Sequence, residues 1–539
     1  MTDWNLADVW ETVARLLPHA DAQVHGTRRI SWAETDRRAN GVARALLDAG
    51  AVHQDKVAHY LYNGIEYMES MFAMFKAGLV PVNTNYRYGD DELVYLWDNA
   101  DAVAVVFHGT FAERIGGLRA RVPRVRTWLW ADDGSGPCPG WATPYEVVAE
   151  AGGEESVAGA WGRSGDDLLL LYTGGTTGMP KGVMWRQDDL FAKINSGNLL
   201  RVPEDGGLEG LAKTIVGSGP IHLPACPLMH GTGMFSSIGA MDVGGCIVTL
   251  TNRHFDAVEL LRTVEAENVN LMAIVGDAFG KPILAALDDQ PGAYNLSTLI
   301  GMLSSGVMWS EETKRGLLKH HPTMMLVDAF SSSEALGMGA SVSSATSTEH
   351  TARFTLGPGV RVIDPDTETD IEPGSGARGV LALGGRNPLG YYKDEAKSAA
   401  TFRTIEGVRY SVPGDFATVE ADGAIQLLGR GSVCINTGGE KVFPEEVEEV
   451  LKLHPAVRDA VAVGLPDDRF GEVVAGVVEL QAGTEADEGE VIAHVKTHLA
   501  HYKAPRRIRF VDSIGRAPTG KVDYNRHRTE TTAWAGIGT

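Results

Sequence analysis

The chain has 539 residues, too many for one ordinary core, and at roughly 150 residues per domain it predicts two or three packed units. With 44% apolar and 22% charged residues it falls in the globular range, which excludes disordered, fibrous and membrane-spanning classes. A formal net charge of -22 repels a phosphate backbone and argues against stable nucleic-acid binding, so small anionic ligands must meet local positive sites.

In chain order, Glu34 to Ala49 is amphipathic with Gly50 as a stop and predicts a helix. Lys56 to Leu61 predicts a strand and Tyr67 to Ala77 a second helix. Short β-rich runs recur at Ala102 to Phe107, Asp167 to Tyr172, Cys246 to Leu250 and Leu271 to Val275, each bounded by turn residues or helices. Alternating strands and helices predict a layered α/β fold with two or more sheets and helices outside. Past the Gly-rich stretch near Gly429 to Gly439 a smaller α/β unit follows. It reads as a helix at Pro444 to Lys452, strands at Asp459 to Val463 and Glu472 to Leu480, and a helix from Asp487 to Ala500.

Cys138, Cys226, Cys246 and Cys434 form no C-x-x-C pair, which argues against a disulfide framework or a zinc ribbon and suits a reducing compartment. Met1 to Leu6 carries neither a basic start nor an apolar core, and no apolar run reaches the ~18 residues of a membrane helix. The end, Gly536-Ile537-Gly538-Thr539, carries no S-K-L address. The expectation is a cytoplasmic protein with no integral membrane segment.

The most informative stretch runs from Leu168 to Gly182, where an apolar strand enters a glycine and hydroxyl loop. Gly174, Gly175 and Gly178 let backbone N–H groups approach an anion, Thr173, Thr176 and Thr177 add hydroxyl donors, and Lys181 adds charge. Those groups suit a triphosphate. The G-x-x-x-x-G-K-[ST] spacing fails, because Pro180 precedes Lys181 and Gly182 follows it. An ordinary Gly/Thr hairpin turn is the alternative, although such turns rarely need three hydroxyls and a lysine.

The run TGGTTGMPKG is similar to the signature loop of the adenylate-forming superfamily, which includes acyl-CoA synthetases, luciferases and peptide-synthetase adenylation domains. Further blocks resemble that family in the same order, from SWAETDRRAN at Ser31 to PTGK ending at Lys521. The resemblance implies a large N-terminal multi-sheet α/β domain, 1–430, which binds ATP and the acyl group. It also implies a smaller mobile C-terminal α+β domain, 431–539, carrying a catalytic lysine.

Within Asp328-Ala329-Phe330-Ser331-Ser332-Ser333-Glu334, the resemblance implies that Phe330 lies against adenine, Ser333 near the phosphates and Glu334 on Mg²⁺. A hard cation on ATP wants carboxylate oxygen. Taken alone, Glu334 reads as a solvated carboxylate at a helix start. Ser331 departs from the usual glycine. Ser305-Gly306-Val307 resembles the small residues that close the nucleotide and acyl pocket, and Asp415 and Arg430 resemble the ribose contacts. His230 resembles the residue beside the acyl carboxylate, although by itself it reads as a satisfied core histidine. His320 and His321 read as surface residues.

Lys521 resembles the catalytic lysine, whose ammonium neutralises charge building toward pyrophosphate. Ser432 stands at the hinge position, where an Asp or Lys is usual. Gly438 and Gly439 resemble the glycine pair lining the pantetheine tunnel, with Lys441 beside them; Lys441 together with Lys503, Arg506 and Arg507 forms either a CoA phosphate contact or a solvated charge run. The resemblance is greatest to bacterial fatty-acyl and steroid-side-chain acyl-CoA ligases. It implies ATP, Mg²⁺ and coenzyme A, and a small-molecule carboxylic acid that is medium- or long-chain or bulky and aliphatic. Transfer of the acyl group to an amine or a carrier protein is the alternative. A peptide-synthetase adenylation module is not expected, because only 18 residues follow Lys521, too few for a carrier domain. The oligomeric state stays open, a homodimer included.

Overall fold

The computed structural model describes residues 3–173, 179–306, 309, 311–347, 353–430, 435–438, 440–442, 444–515 and 524–537, with the backbone alone at 428–430, 441, 445, 446 and 449. Two units divide the chain: the first spans Met1–Tyr86, Trp97–Tyr172 and Gly182–Leu428, the second Arg87–Leu96, Thr173–Lys181 and Gly429–Thr539.

Short apolar runs become strands buried on both faces, as in Ala102–His108, where every residue is buried. It belongs to an eight-stranded sheet in the order Gly390–Tyr391, Lys181–Arg186, Leu168–Thr173, Val80–Asn83, Lys56–Tyr60, Ala102–His108, Thr127–Ala131, Thr143–Pro144. Lys56–Tyr60 runs parallel to both of its neighbours, so helical crossovers join them. The crossover helix Ile65–Lys76 is apolar nearly all round and is buried accordingly. Trp10 meets the edges of Phe72 and Phe75 on it, with centroids 5.4 and 5.6 Å away. Its Glu69 is fully buried, and Arg38 Nε from the helix Trp32–Asp48 donates to it at 2.7 Å.

A fifteen-stranded sheet holds the rest of this unit. Its parallel part runs Asp21–His25, Cys246–Thr249, Ile221–Pro224, Leu271–Ile274, Gly301–Ser305, Met325–Ser332. Helices Ala257–Ala266, Gly276–Asp289 and Glu311–His320 cross between successive strands. From Ala335–Ser343 onward the pairing is antiparallel, through Arg353–Leu356 to Ile425–Arg430. The apolar runs predicted as strands and helices are found within one or two residues at most ends. This antiparallel extension is absent from the sequence reading, because its strands are short and mixed in polarity.

In the second unit, Val457–Asp467 and Gly471–Leu480 form one long hairpin, with Arg507–Val511 parallel to the latter. The expected strand at Asp459 to Val463 is extended on both sides. Asp467 Oδ1 accepts from Arg469 N and Phe470 N, both at 2.9 Å, and Gly471 takes φ +76°, which closes the turn. Alternate residues face two cores, Ala460 and Ala462 toward one and Val461 and Val463 toward the other. The helix Glu488–His498 starts with a capping box between Asp487 and Glu490.

One buried carboxyl in the first unit carries a pH signature. Asp242 follows the helix Gly231–Met241 and accepts a hydrogen bond from Trp10 Nε1 at 2.8 Å. Burial pushes its pKa up to about 8, against the smaller opposing effect of that bond. An unfolded aspartate titrates near about 3.9, so the folded state holds this proton more tightly. The resulting stability is fully present below the unfolded value and is lost as pH rises through about 8. Asp242→Asn keeps an acceptor for Trp10 and removes the titration. Its unfolding free energy relative to the parent should rise between about pH 5 and 8, by at most about 1.4 kcal/mol per pH unit, measured as a melting-temperature difference that grows with pH. A difference that stays flat across this range would show that Asp242 ionises normally.

Candidate active site

The parallel strands of the large sheet end at a common edge. Their register pairs Pro224 with Ala273, Ile274 with Ser304 and Ser305 with Ala329. The chain therefore leaves the sheet at Cys226 to His230, at Val275 and Gly276 and at Gly306 along one edge, where the strand Met325–Ser332 also loses its parallel partner past Ala329, the place where open α/β sheets bind ligands. Gly306 takes φ +93°, a conformation that favours glycine, and Ser305 before it is buried. Ser304, which the sequence did not single out, accepts from Gly276 N at 2.9 Å and ties two of these exits together. Val307 lies outside the described residues.

Asp328, Ala329, Phe330, Ser331 and Ser332 lie in Met325–Ser332, and the register against Ala335–Ser343 shifts between Phe330 and Ser332, forming a bulge. Asp328 is buried, and burial pushes its carboxyl up to about 7, against the attraction of Lys314. The half-buried Phe330 ring lies 5.6 Å from that of Phe354. It packs in the same apolar cluster as Ala417, two residues beyond Asp415. Ser331 takes no positive φ, so a serine costs no strain here, and its Oγ accepts from Gly337 N at 2.9 Å. Ser332 Oγ is buried with no hydrogen-bond partner among the described residues.

Ser333 and Glu334 form the turn between these two strands, not the start of a helix. Trp185 Nε1 donates to Ser333 O at 3.0 Å, and Tyr391 OH donates to Glu334 Oε1 at 2.8 Å. Glu334 is buried, and among the described residues no cationic side chain pairs with it. A buried carboxylate held by a neutral donor suits a divalent cation.

Gly174, Gly175, Thr176, Thr177 and Gly178 lie outside the described residues. Thr173 ends the incoming strand Leu168–Thr173, and Lys181 begins the return strand Lys181–Arg186. Asn83 secures the incoming strand: it accepts from Tyr172 N at 2.5 Å and donates to Tyr172 O at 2.9 Å. The same amide donates to Met229 O at 2.7 Å, one residue before His230. Asn63 accepts from Leu228 N at 2.7 Å and donates to Cys226 O at 3.0 Å. His230, half-buried, is the N-cap residue of Gly231–Met241. A Cβ on Gly182 would come within 2.6 Å of the Tyr172 ring, which is why glycine follows Lys181. Asn63, Asn83, Trp185 and Tyr391 were not read from the sequence; a polar residue closing an apolar strand, as in Val80–Asn83, was the one available signal.

Asp415 is buried at the start of Asp415–Val419, after Gly414 at φ +95°. Arg430 ends Ile425–Arg430 and Lys441 lies in Glu440–Val442, their side chains outside the description. Ser432, Gly439 and Lys521 lie outside the described residues. Gly438 takes φ +58° and donates its N–H to Phe470 O at 2.9 Å, so its local turn already demands glycine. Two charge readings change. Lys503 is fully buried, and its Nζ donates to Glu92 Oε1 at 2.7 Å inside the second unit, so it is not part of a solvated run. His321 is buried with Nε2 bonded to Leu299 O at 2.7 Å, whereas His320 meets Asp288.

The Asn83 ties predict a specific loss. Asn83→Ala strands buried peptide groups on Tyr172 and Met229, at a cost of about 1–3 kcal/mol per unsatisfied group, read as a lower melting temperature. ATP affinity should fall about tenfold with it. Unchanged ATP affinity in a destabilised variant would confine Asn83 to a structural role.

Residues 10–392 match the family model described as AMP-binding enzyme, and residues 446–521 match the AMP-binding enzyme C-terminal domain. Among curated relatives, a medium/long-chain-fatty-acid–CoA/3-oxocholest-4-en-26-oate–CoA ligase of Mycolicibacterium smegmatis is 40% identical, over 96% of this chain and 95% of its own. A 3-oxocholest-4-en-26-oate–CoA ligase of Rhodococcus rhodochrous is 39% identical, over 98% of this chain and 96% of its own. The solved amide bond synthetase McbA of Marinactinospora thermotolerans shares the fold, with a TM-score of 0.77 at 23% identity, over 97% of this chain and 99% of its own. The glycine and threonine sequence between two anchored strands, the buried carboxylate of Glu334 and these matches agree, and the chain belongs to the AMP-binding enzyme family.

Proposed function

We propose that this chain is an ATP-dependent carboxylic acid:CoA ligase, an acyl-CoA synthetase that forms an acyl-AMP intermediate. The observation that carries this reading is the junction of the strand leaving the glycine-threonine loop with the Glu334 turn, through Trp185 and Tyr391. The two ligases from Mycolicibacterium smegmatis and Rhodococcus rhodochrous, similar over nearly the whole chain, support the acid class. Medium- or long-chain fatty acids, or a bulky aliphatic acid such as a steroid side chain, fit the apolar surroundings of the exit edge. Met234 and Phe235 are buried just beyond His230, and Val275 clusters with Cys226 and Phe279.

In the first step a carboxylate oxygen attacks the α-phosphorus of ATP and the bond to pyrophosphate breaks. Thr173 through Gly178 and Lys181 cradle the leaving phosphates, Phe330 lies against adenine, and Asp415 and Arg430 take the ribose. Ser305, Gly306 and Val307 close the pocket behind the nucleotide. His230 stands beside the acid, and Lys521 neutralises charge that develops between carboxylate and phosphate. Mg²⁺ would be held by Glu334 and would neutralise phosphate charge when bound. In the second step the CoA thiolate attacks the acyl carbonyl carbon and AMP departs. Gly438 and Gly439 leave room for pantetheine, Lys441 meets CoA phosphate, and Ser432 is the hinge between the steps. Residues 1–430 thus bind ATP and the acid, and residues 431–539 bring Lys521. An acceptor other than CoA, an amine or a carrier protein, is the competing reading.

Pyrophosphate release should require ATP, Mg²⁺ and an aliphatic or steroid acid, with thioester appearing only when CoA is added. This is measured across an acid panel by mass spectrometry. Acyl-AMP that accumulates unchanged in the presence of CoA would transfer the function to another acceptor, and a preference for amino acids would overturn the acid class. Lys521→Ala should abolish acyl-AMP formation yet retain thioester formation from supplied acyl-AMP; equal loss of both steps would count against its assigned role.

A further inference from the structure

We propose that Tyr391, seconded by Trp185, is the positioning residue that sets Glu334 for the divalent metal of bound ATP. The inference rests on the reading of Glu334 as the metal ligand. Glu334 sits in a turn just past a bulged strand, so neither helix nor ladder fixes its side chain. Something else must hold the carboxylate, and the Tyr391 hydroxyl does so through Oε1 at 2.8 Å. A carboxylate has about four lone-pair positions, and one phenol donor occupies one of them. A guanidinium or ammonium in the same place would cancel the charge that a cation needs; a phenol fixes the rotamer and leaves that charge intact.

Tyr391 is itself over-determined. Gly390–Tyr391 pairs with the return strand, Gly390 opposite Met184 and Tyr391 opposite Val183. Flanking bonds run from Leu389 N to Met184 O and from Tyr392 N to Gly182 O, both 2.8 Å. Tyr391 N donates to Ser398 Oγ at 2.8 Å, and a Cβ on Gly390, at φ +155°, would collide with that same oxygen. The ring is buried with its centroid 5.9 Å from that of Phe402. Two residues beyond Val183, the fully buried Trp185 binds the Ser333 carbonyl. One strand therefore leaves the phosphate loop, grips the backbone of the Glu334 turn, and through its neighbour grips the carboxylate. Glu334 and the strand residues Gly182 to Trp185 share one rigid support, so the carboxylate is set relative to that strand before any ligand arrives.

The test uses the full chain with Tyr391→Phe, which keeps the ring and removes the donor, beside Glu334→Gln. Calorimetry gives ATP affinity without metal and with Mn²⁺, and electron paramagnetic resonance counts bound Mn²⁺. Tyr391→Phe should bind metal-free ATP like the parent, lose about tenfold of the Mn²⁺-dependent affinity, and raise by a similar factor the Mg²⁺ needed for half-maximal pyrophosphate release. Trp185→Phe should move the same metal-dependent quantities in the same direction. If Glu334→Gln loses the metal effect while Tyr391→Phe keeps it, the positioning role is overturned and the metal ligand stands. If both variants keep it, the reading of Glu334 fails, and this inference with it. Should Tyr391→Phe fold poorly, Trp185→Phe decides: parental Mn²⁺-dependent affinity there overturns the proposal.

Discussion

Where a strand ends at a ligand site, its peptide groups lose their ladder partners, and in a buried setting each must be satisfied by something else. The candidate site is built around that constraint. Asn83 stands in for a missing strand neighbour on Tyr172 and at once holds Met229; Asn63 does the same for the loop from Cys226 to Leu228. Ser304 caps the Gly276 amide, and Trp185 takes the Ser333 carbonyl. Each of these side chains joins two exits of the sheets, so the loops that would meet substrate are fixed relative to one another by groups that need not touch it.

The charge distribution follows a related logic. Some of the positive charge of this acidic chain is committed to interior ion pairs, as in Arg38 with Glu69, Lys76 with Asp36 and Lys503 with Glu92. On the proposed function, a triphosphate approaching a chain of net negative charge would be drawn by backbone N–H groups of the glycine loop and by the lysine that follows it. Asp328, two residues before Phe330, is held toward its neutral form by burial, which on the proposed function would spare the nucleotide a second negative neighbour.

How much of this was legible in the sequence depended on how local the cause was. Apolar runs such as Ala102 to Phe107 announced strands of a layered α/β fold, and the glycine, threonine and lysine spacing pointed to phosphate chemistry, because both readings rest on a few neighbouring residues. Glu334 was singled out by its motif, but its burial in a strand turn was not foreseen, since its partner Tyr391 is 57 positions away and on a strand of two residues. Asn83 was passed over and His321 read as surface, because their partners, Met229 and the Leu299 carbonyl, are supplied by tertiary contact. The antiparallel extension beyond Ala335 escaped for the same reason: its pairing, more than its own side chains, makes those segments strands.

The bulge between Phe330 and Ser332 has a consequence for how this segment can evolve. Side chains alternate across a strand, and the bulge absorbs one residue of that alternation. Deleting a single residue here would restore an unbroken ladder while exchanging the faces of everything on one side of the gap, carrying Phe330 away from Phe354 or Glu334 away from Tyr391. Individual side chains in this hairpin can be exchanged one at a time, as Ser331 illustrates, but its length is frozen. Among descendants of this chain, insertions and deletions should therefore accumulate in surface connections and spare the run from Asp328 to Gly337.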